Sequence, residues 1–222
     1  MRTIVSAGLW VLLSSLALAQ GPSAPQLPPQ RKVEGQTIVS KELPAAEFTF
    51  GKDFRYVGGQ VVNLYGKADA EQHLFVKAPN GGVVESFYWV QFEHFLPSNA
   101  LTYHYKPDRT TDSGGLQFIY DVEAYSDYAG LENADPATDG FAVHKLLAEH
   151  NLAFPKRAAR VRMIHLPTAD RRNELMIIYG ESLPEDSKVP VAADGLALDD
   201  ASPASAKTVL DHAWEGLTIQ KR

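Results

Sequence analysis

The sequence predicts an α+β fold: a curved, mainly antiparallel sheet of about seven strands, closed or half-open as a barrel, with one helix inserted before the last hairpin and a C-terminal helix. Three observations predict it. Apolar and polar residues alternate with period two through most of the middle of the chain, turn-forming clusters separate the alternating runs, and two stretches carry helical spacing instead.

Residues 1–19 read as a secretory signal peptide. Arg2 supplies the positive end, Ile4 to Leu18 an apolar run, and Ala17-Leu18-Ala19 the small-x-small pattern of a cleavage site. The run is shorter than the ~20 residues of a spanning helix and carries Ser6, Gly8, Ser14 and Ser15, so no membrane span is expected after its removal. The chain has no cysteine, which excludes a disulfide scaffold and a cysteine-linked lipid anchor. It has no Asn-x-Ser/Thr acceptor either. A periplasmic or secreted protein is the expectation.

Residues 20–46 are rich in Pro and Gln and read as a tether, because Pro22, Pro25, Pro28 and Pro29 resist both helix and central strand. The expected domain covers 47–183. Its strands are Arg55 to Leu64, Gln72 to Ala78, Val83 to Leu96, Leu101 to Lys106, Leu116 to Tyr125, Ala159 to Leu166 and Glu174 to Glu181. Pro79-Asn80-Gly81-Gly82 reads as a hairpin turn, and Gly58-Gly59 as a bulge or bend. Between the fifth and sixth strands, Thr138 to Asn151 has an apolar stripe of Phe141, Val143, Leu146 and Leu147 at helical spacing. An acidic linker (184–203) and a C-terminal helix (204–222) anchored by Trp214 complete the chain.

The run Val83 to Leu96 is the most informative. Val84, Tyr88, Val90, Phe92 and Leu96 share one side, while Glu85, Phe87, Trp89, Gln91, Glu93 and Phe95 share the other. Neither side is plainly polar, so this strand is expected in a central position with its second side covered by a helix or turned to a cavity.

The composition excludes some functions. With 21 basic and 27 acidic residues the formal charge is −6, which repels phosphate backbones, so no nucleic-acid partner is expected. G-x-S-x-G, G-x-G-x-x-G, Walker and H-E-x-x-H patterns are all absent. No metal site is assigned, since Glu93 and His94 project to opposite sides of a regular strand. No cofactor is implied.

What remains is aromatic density between Phe87 and Tyr125. Trp89, Phe87, Tyr103 and Tyr105, with Gln91 and Arg162 as polar anchors, describe the wall of a small-molecule pocket. The leading expectation is an exported cell-envelope binding or accessory protein that takes a small apolar or aromatic molecule. A second is a metal-assisted or acid/base enzyme using Glu93, His73 and His104. A third is a structural envelope protein that docks a protein partner through a sheet edge or the Trp214 helix.

Overall fold

The computed structural model describes residues 28–78 and 82–222. The expected signal peptide, the first part of the tether and the turn residues 79–81 lie outside the described residues.

In chain order the strands are β1 (Lys32–Glu34), β2 (Thr37–Ser40), β3 (Ala46–Phe50), β4 (Arg55–Leu64), β5 (Ala68–Lys77), β6 (Gly82–Val83), β7 (Ser86–Phe95), β8 (Thr110–Ser113) and β9 (Leu116–Tyr125). Helices α1 (Tyr128–Glu132) and α2 (Asp139–Glu149) follow, then β10 (Leu152–Ala153), β11 (Ala158–His165), β12 (Asn173–Ser182), β13 (Leu196–Ala197), α3 (Leu198–Ala201), α4 (Pro203–Glu215) and β14 (Leu217–Lys221).

The main sheet has eight strands in the order β13-β9-β11-β12-β7-β5-β4, with β8 beside β13 on the outer edge of β9. Every pairing in it is antiparallel. It does not close: β4 forms one edge and β8 with β13 the other, so the expected barrel is replaced by an open sheet. The reason lies in the two-sided strands. A barrel hides one face and exposes the other, whereas here both faces carry large apolar side chains and each is covered by separate elements.

On the first face, Tyr88, Val90, Phe92, Val161, Met163 and Ile177 pack with Phe48 and Phe50 of β3 and with Val209 and Ala213 of α4. A second, four-stranded sheet in the order β1-β2-β3-β14 makes that cover. Phe50 stacks on Phe75 at 4.1 Å and Phe48 meets Phe92 edge-on at 5.9 Å. On the second face, Phe87, Trp89, Leu74 and Ile178 lie under Tyr128 of α1 and Val143, Leu146 and Leu147 of α2. Gly180 sits opposite Phe87, and a Cβ there would lie 2.3 Å from the Phe87 ring, so only glycine admits that ring.

Several expectations change in detail. Leu101 to Lys106 is not a sheet strand; its alternation is real, with Tyr103 buried and His104 exposed, but the segment runs extended without a strand partner. Strands β1 and β2 lie inside the stretch read as a tether, and β13 and α3 inside the stretch read as an acidic linker. The C-terminal helix is followed by β14, which returns to pair with β3. Val84 joins the second face with Phe87 rather than the first with Tyr88, because the chain breaks between β6 and β7 and the alternation restarts. Trp214 is only partly buried against Phe118; Ala206, Val209 and Ala213 seat α4, and Tyr88 donates to the Ala213 carbonyl at 2.6 Å. The bulge falls as expected, with the β4–β5 register shifting between Tyr56 and Gly58. No described helix is long and apolar enough to cross a membrane.

Candidate functional site

The second face of the main sheet carries a polar network across three strands and the start of α2. Gln60 of β4 donates to Gln72 of β5 at 2.9 Å, and Gln72 donates to Gln91 of β7 at 2.9 Å. Gln91 in turn donates through Nε2 to Glu93 (2.7 Å) and to Asp139 at the start of α2 (3.1 Å), while its Oε1 accepts from the Trp89 indole (3.2 Å). Period-two alternation places Trp89, Gln91 and Glu93 in one row, and the antiparallel register sets Glu174 of β12 directly opposite Glu93.

Two tyrosines cap that carboxylate pair. Tyr103 donates to Glu93 at 2.6 Å and Tyr105 to Glu174 at 2.5 Å. Burial drives the Glu174 carboxyl up to about 7; the Tyr105 phenol and Arg162 oppose the rise, and Glu93 and Asp139 add to it. Glu93 is pushed up as well, again first by burial. Among the described residues neither carboxylate has a basic side chain within ion-pair distance, and nor does Asp139.

Further along the same face two guanidiniums are shared among three carboxylates. Arg160 pairs with Glu123 at 2.5 Å and with Glu132 at 3.6 Å, and Arg162 pairs with Asp121 at 2.6 Å. The Arg160 guanidinium also lies 4.9 Å above the Tyr125 ring.

Two cavities open on this face and share Thr138 and Asp139. One, of about 260 Å³, is lined by Trp89, Met176, Ile178, Leu131, Arg160 and Arg162 among others. Its neighbour, about 280 Å³, is lined by Leu64, Tyr65, Lys67, Ala68, Glu93 and Phe95. Helix α2 forms their common wall. Thr138 caps it by accepting from the Phe141 amide at 3.2 Å, and Gly140 lets it approach Glu132, whose carboxylate a Cβ at 140 would meet at 1.9 Å.

Two other hollows differ in kind. A cavity of about 300 Å³ is bordered by Arg31, Val61, Phe92, Glu93 and Glu174. Another, about 660 Å³, lies along the small sheet and has no aromatic side chain in its lining. Among the described residues no three His, Asp or Glu side chains are grouped to hold a metal ion.

The structure gathers most of the residues expected to bind a ligand and separates those expected to act in catalysis. Trp89, Gln91, Tyr103, Tyr105 and Arg162 all belong to the second face. Phe87 shares that face but is sealed between Tyr128 and Phe154 and borders neither cavity. Glu93, His73 and His104 do not meet. His73 lies on the first face, where its Nε2–H donates to Glu71 at 2.8 Å and its Nδ1 is 3.1 Å from the Tyr56 hydroxyl. His104 is exposed, 2.9 Å from the Thr102 hydroxyl.

The residues missed from sequence are Glu174, Asp139, Met176 and Ile178. The alternation of Glu174, Met176 and Ile178 on β12 is visible, but their place beside Trp89 depends on the β7–β12 register, and Asp139 reaches the site only because the start of α2 folds over that face. Comparison with protein-family models, with curated proteins and with solved structures returns no match for this chain.

Proposed function

We propose that this is an exported binding or accessory protein of the cell envelope, and that the second face of its main sheet holds a small apolar or aromatic molecule. The observation that carries this reading is the pair of adjoining cavities along that face, one floored by Trp89, Met176 and Ile178 and the other walled by Leu64, Tyr65 and Phe95. Apolar walls with a few fixed polar groups are the usual make-up of a small-molecule site; each cavity alone, at about 260 and 280 Å³, falls just below the roughly 300–1,000 Å³ such sites occupy, and the two adjoin. Tyr65 at 59% exposure and Leu131 at 41% add apolar surface at the mouths.

The charge of the face favours an uncharged ligand body over an anion. Glu93, Asp121, Glu123, Glu132, Asp139 and Glu174 face Arg160, Arg162 and Lys67 among them. A carboxylate or phosphate would add to an existing excess of negative charge.

Native mass spectrometry of gently purified protein, together with titration of the uncharged dye N-phenyl-1-naphthylamine, tests the reading. Dye binding that weakens about three- to tenfold in Trp89→Ala is expected, the loss of one aromatic contact. Absence of both a co-purified molecule and dye binding, or binding indifferent to position 89, sinks it.

One observation favours a second reading. The Glu174 carboxyl, at about 7 and opposite Glu93, suits proton transfer near neutral pH, and Glu93 lines the 280 Å³ cavity on the same face. That arrangement supports acid/base chemistry on a small substrate, without His73 or His104. Any turnover that survives Glu174→Gln removes this alternative.

A further inference from the structure

Residues 101–106 cross the second face without a strand partner, and their attachments are few. The backbone of Tyr103 exchanges two bonds with Arg171: its amide donates to the Arg171 carbonyl at 2.8 Å and its carbonyl accepts from Arg171 Nε at 2.6 Å. Arg172 donates to the Leu101 carbonyl at 2.9 Å. Phe95 stacks on Tyr103 at 4.4 Å. The other anchors are the Leu101 amide on Asn99 at 3.0 Å, the packing of Tyr105 against the second-face core, and the phenols of Tyr103 and Tyr105 on Glu93 and Glu174.

The spacing of the two tyrosines explains the fit. Residues two apart in an extended segment project to the same side about 6.6 Å apart, while adjacent strands lie about 4.8 Å apart. A segment crossing β7 and then β12 therefore brings one phenol to each strand, and Glu93 and Glu174 stand in register to meet them. His104 and Lys106, between and after the tyrosines, face outward.

The groups around the pair set the sign of any pH response. Glu93 comes from β7, Asp139 from α2, Arg162 from β11 with Asp121 of β9 as its partner, Lys67 from the turn after β4, and the two phenols from the crossing segment itself. Arg162 is already paired, and Lys67 makes no ion pair with either acid. Ionising both carboxylates thus places two uncompensated charges opposite each other beneath the segment.

We propose that residues 101–106 are a strap, latched over the Glu93–Glu174 pair while the pair holds a proton and released when both carboxylates ionise. In the latched state burial raises Glu174 to about 7 although the Tyr105 phenol pulls the other way; the burial supplied by the strap outweighs that bond, so a carboxylate freed from the strap returns toward its ordinary value of 4.5. Closure therefore takes up a proton. It is favoured below the ordinary carboxylate range and is lost as pH rises through about 7. The strap stands independently of whether the neighbouring cavities hold a ligand.

Hydrogen exchange on the full chain, followed at the Tyr103 amide from pH 5 to 8.5 and corrected for intrinsic exchange, tests this. Protection is expected to fall by up to about a hundredfold across neutral pH, one pK unit corresponding to a factor of ten. Amides of β11 and β12 report global stability in the same experiment. Glu174→Gln is expected to hold protection high and flat, and Tyr105→Phe to lower it at acidic pH. Wild-type protection that stays constant over this range, or that falls equally in Glu174→Gln, overturns the proposal; the wild-type profile decides it even if a variant does not fold.

Discussion

Glu71 and Glu174 are the same residue type at the same burial, each 4% exposed, on opposite faces of one sheet, and their carboxyls are driven in opposite directions. On the first face, burial alone would raise Glu71, but His73 donates to it, the Arg31 amide and guanidinium donate at 2.7 and 2.9 Å, and together they hold it down at about 2. On the second face, Glu174 has a phenol, a neighbouring carboxylate and an already engaged guanidinium, and burial wins. Equal exposure thus does not fix a carboxylate's chemistry; whether a cation stands beside it helps decide between a structural clasp and a proton-holding site.

The clasp has a clear task. Arg31 lies at the start of the small sheet's first hairpin, and its guanidinium also covers the Phe92 ring at 4.1 Å, so the Glu71 pairing ties that sheet to the main one. On the second face the corresponding tie is the Arg160–Glu132 pair between β11 and α1, which leaves Glu93 and Glu174 without a cation of their own beside the two adjoining cavities.

The largest expected effect breaks the clasp. Glu71→Ala leaves Arg31 and His73 without their partner and should cost about 3–5 kcal/mol in urea unfolding, whereas Glu174→Gln at pH 8 should gain about 1–3 kcal/mol by removing an uncompensated buried charge. Equal losses from the two variants would erase the distinction between the faces.

The pH dependence sharpens it. Glu71, held at about 2 against an ordinary 4.5, contributes about 3 kcal/mol that is fully present above its ordinary range and is lost as pH falls through about 2. Glu174, raised to about 7, acts in the opposite sense: its protonated form is favoured in the folded state, and stability declines as pH rises from its ordinary range through about 7. Unfolding free energies measured from pH 2 to 9 should therefore show an acid limb that Glu71→Ala reduces and a neutral limb that Glu174→Gln removes.

The smallest effect tests how separable the second face is. Thr138→Ala removes the cap of α2 and should cost about 1 kcal/mol, while loosening the common wall of the two cavities. A weakening of dye binding beyond the stability loss, measured in the same variant, would tie that wall to ligand binding.

Much of this architecture was legible before any coordinates. Strands β4 and β9 have the bounds that alternation indicates, and the division of Tyr88, Val90 and Phe92 from Phe87, Trp89, Gln91 and Glu93 holds through β7. Strands β3 and β14 were not legible, because each is five residues long and Phe48 meets Ile219 only when the chain ends come together. Tyr103 and Tyr105 read as strand residues because an extended strap and a strand share the same period; only a partner for the backbone separates them. His73 carried no sign of its face, and with Glu71 two residues before it the pair belongs to the clasp.

The sequence by itself determined which side chains share a side within each strand and helix, since that follows from the direction of successive Cβ atoms. It also determined that both sides of β7 must be covered, since apolar and aromatic residues occupy each. Tertiary structure alone decided that the cover comes from a second sheet and from helices, and not from closure of one sheet on itself. It alone decided which carboxylate meets a guanidinium, because cross-strand register and the return of distant segments place charges that no local pattern brings together.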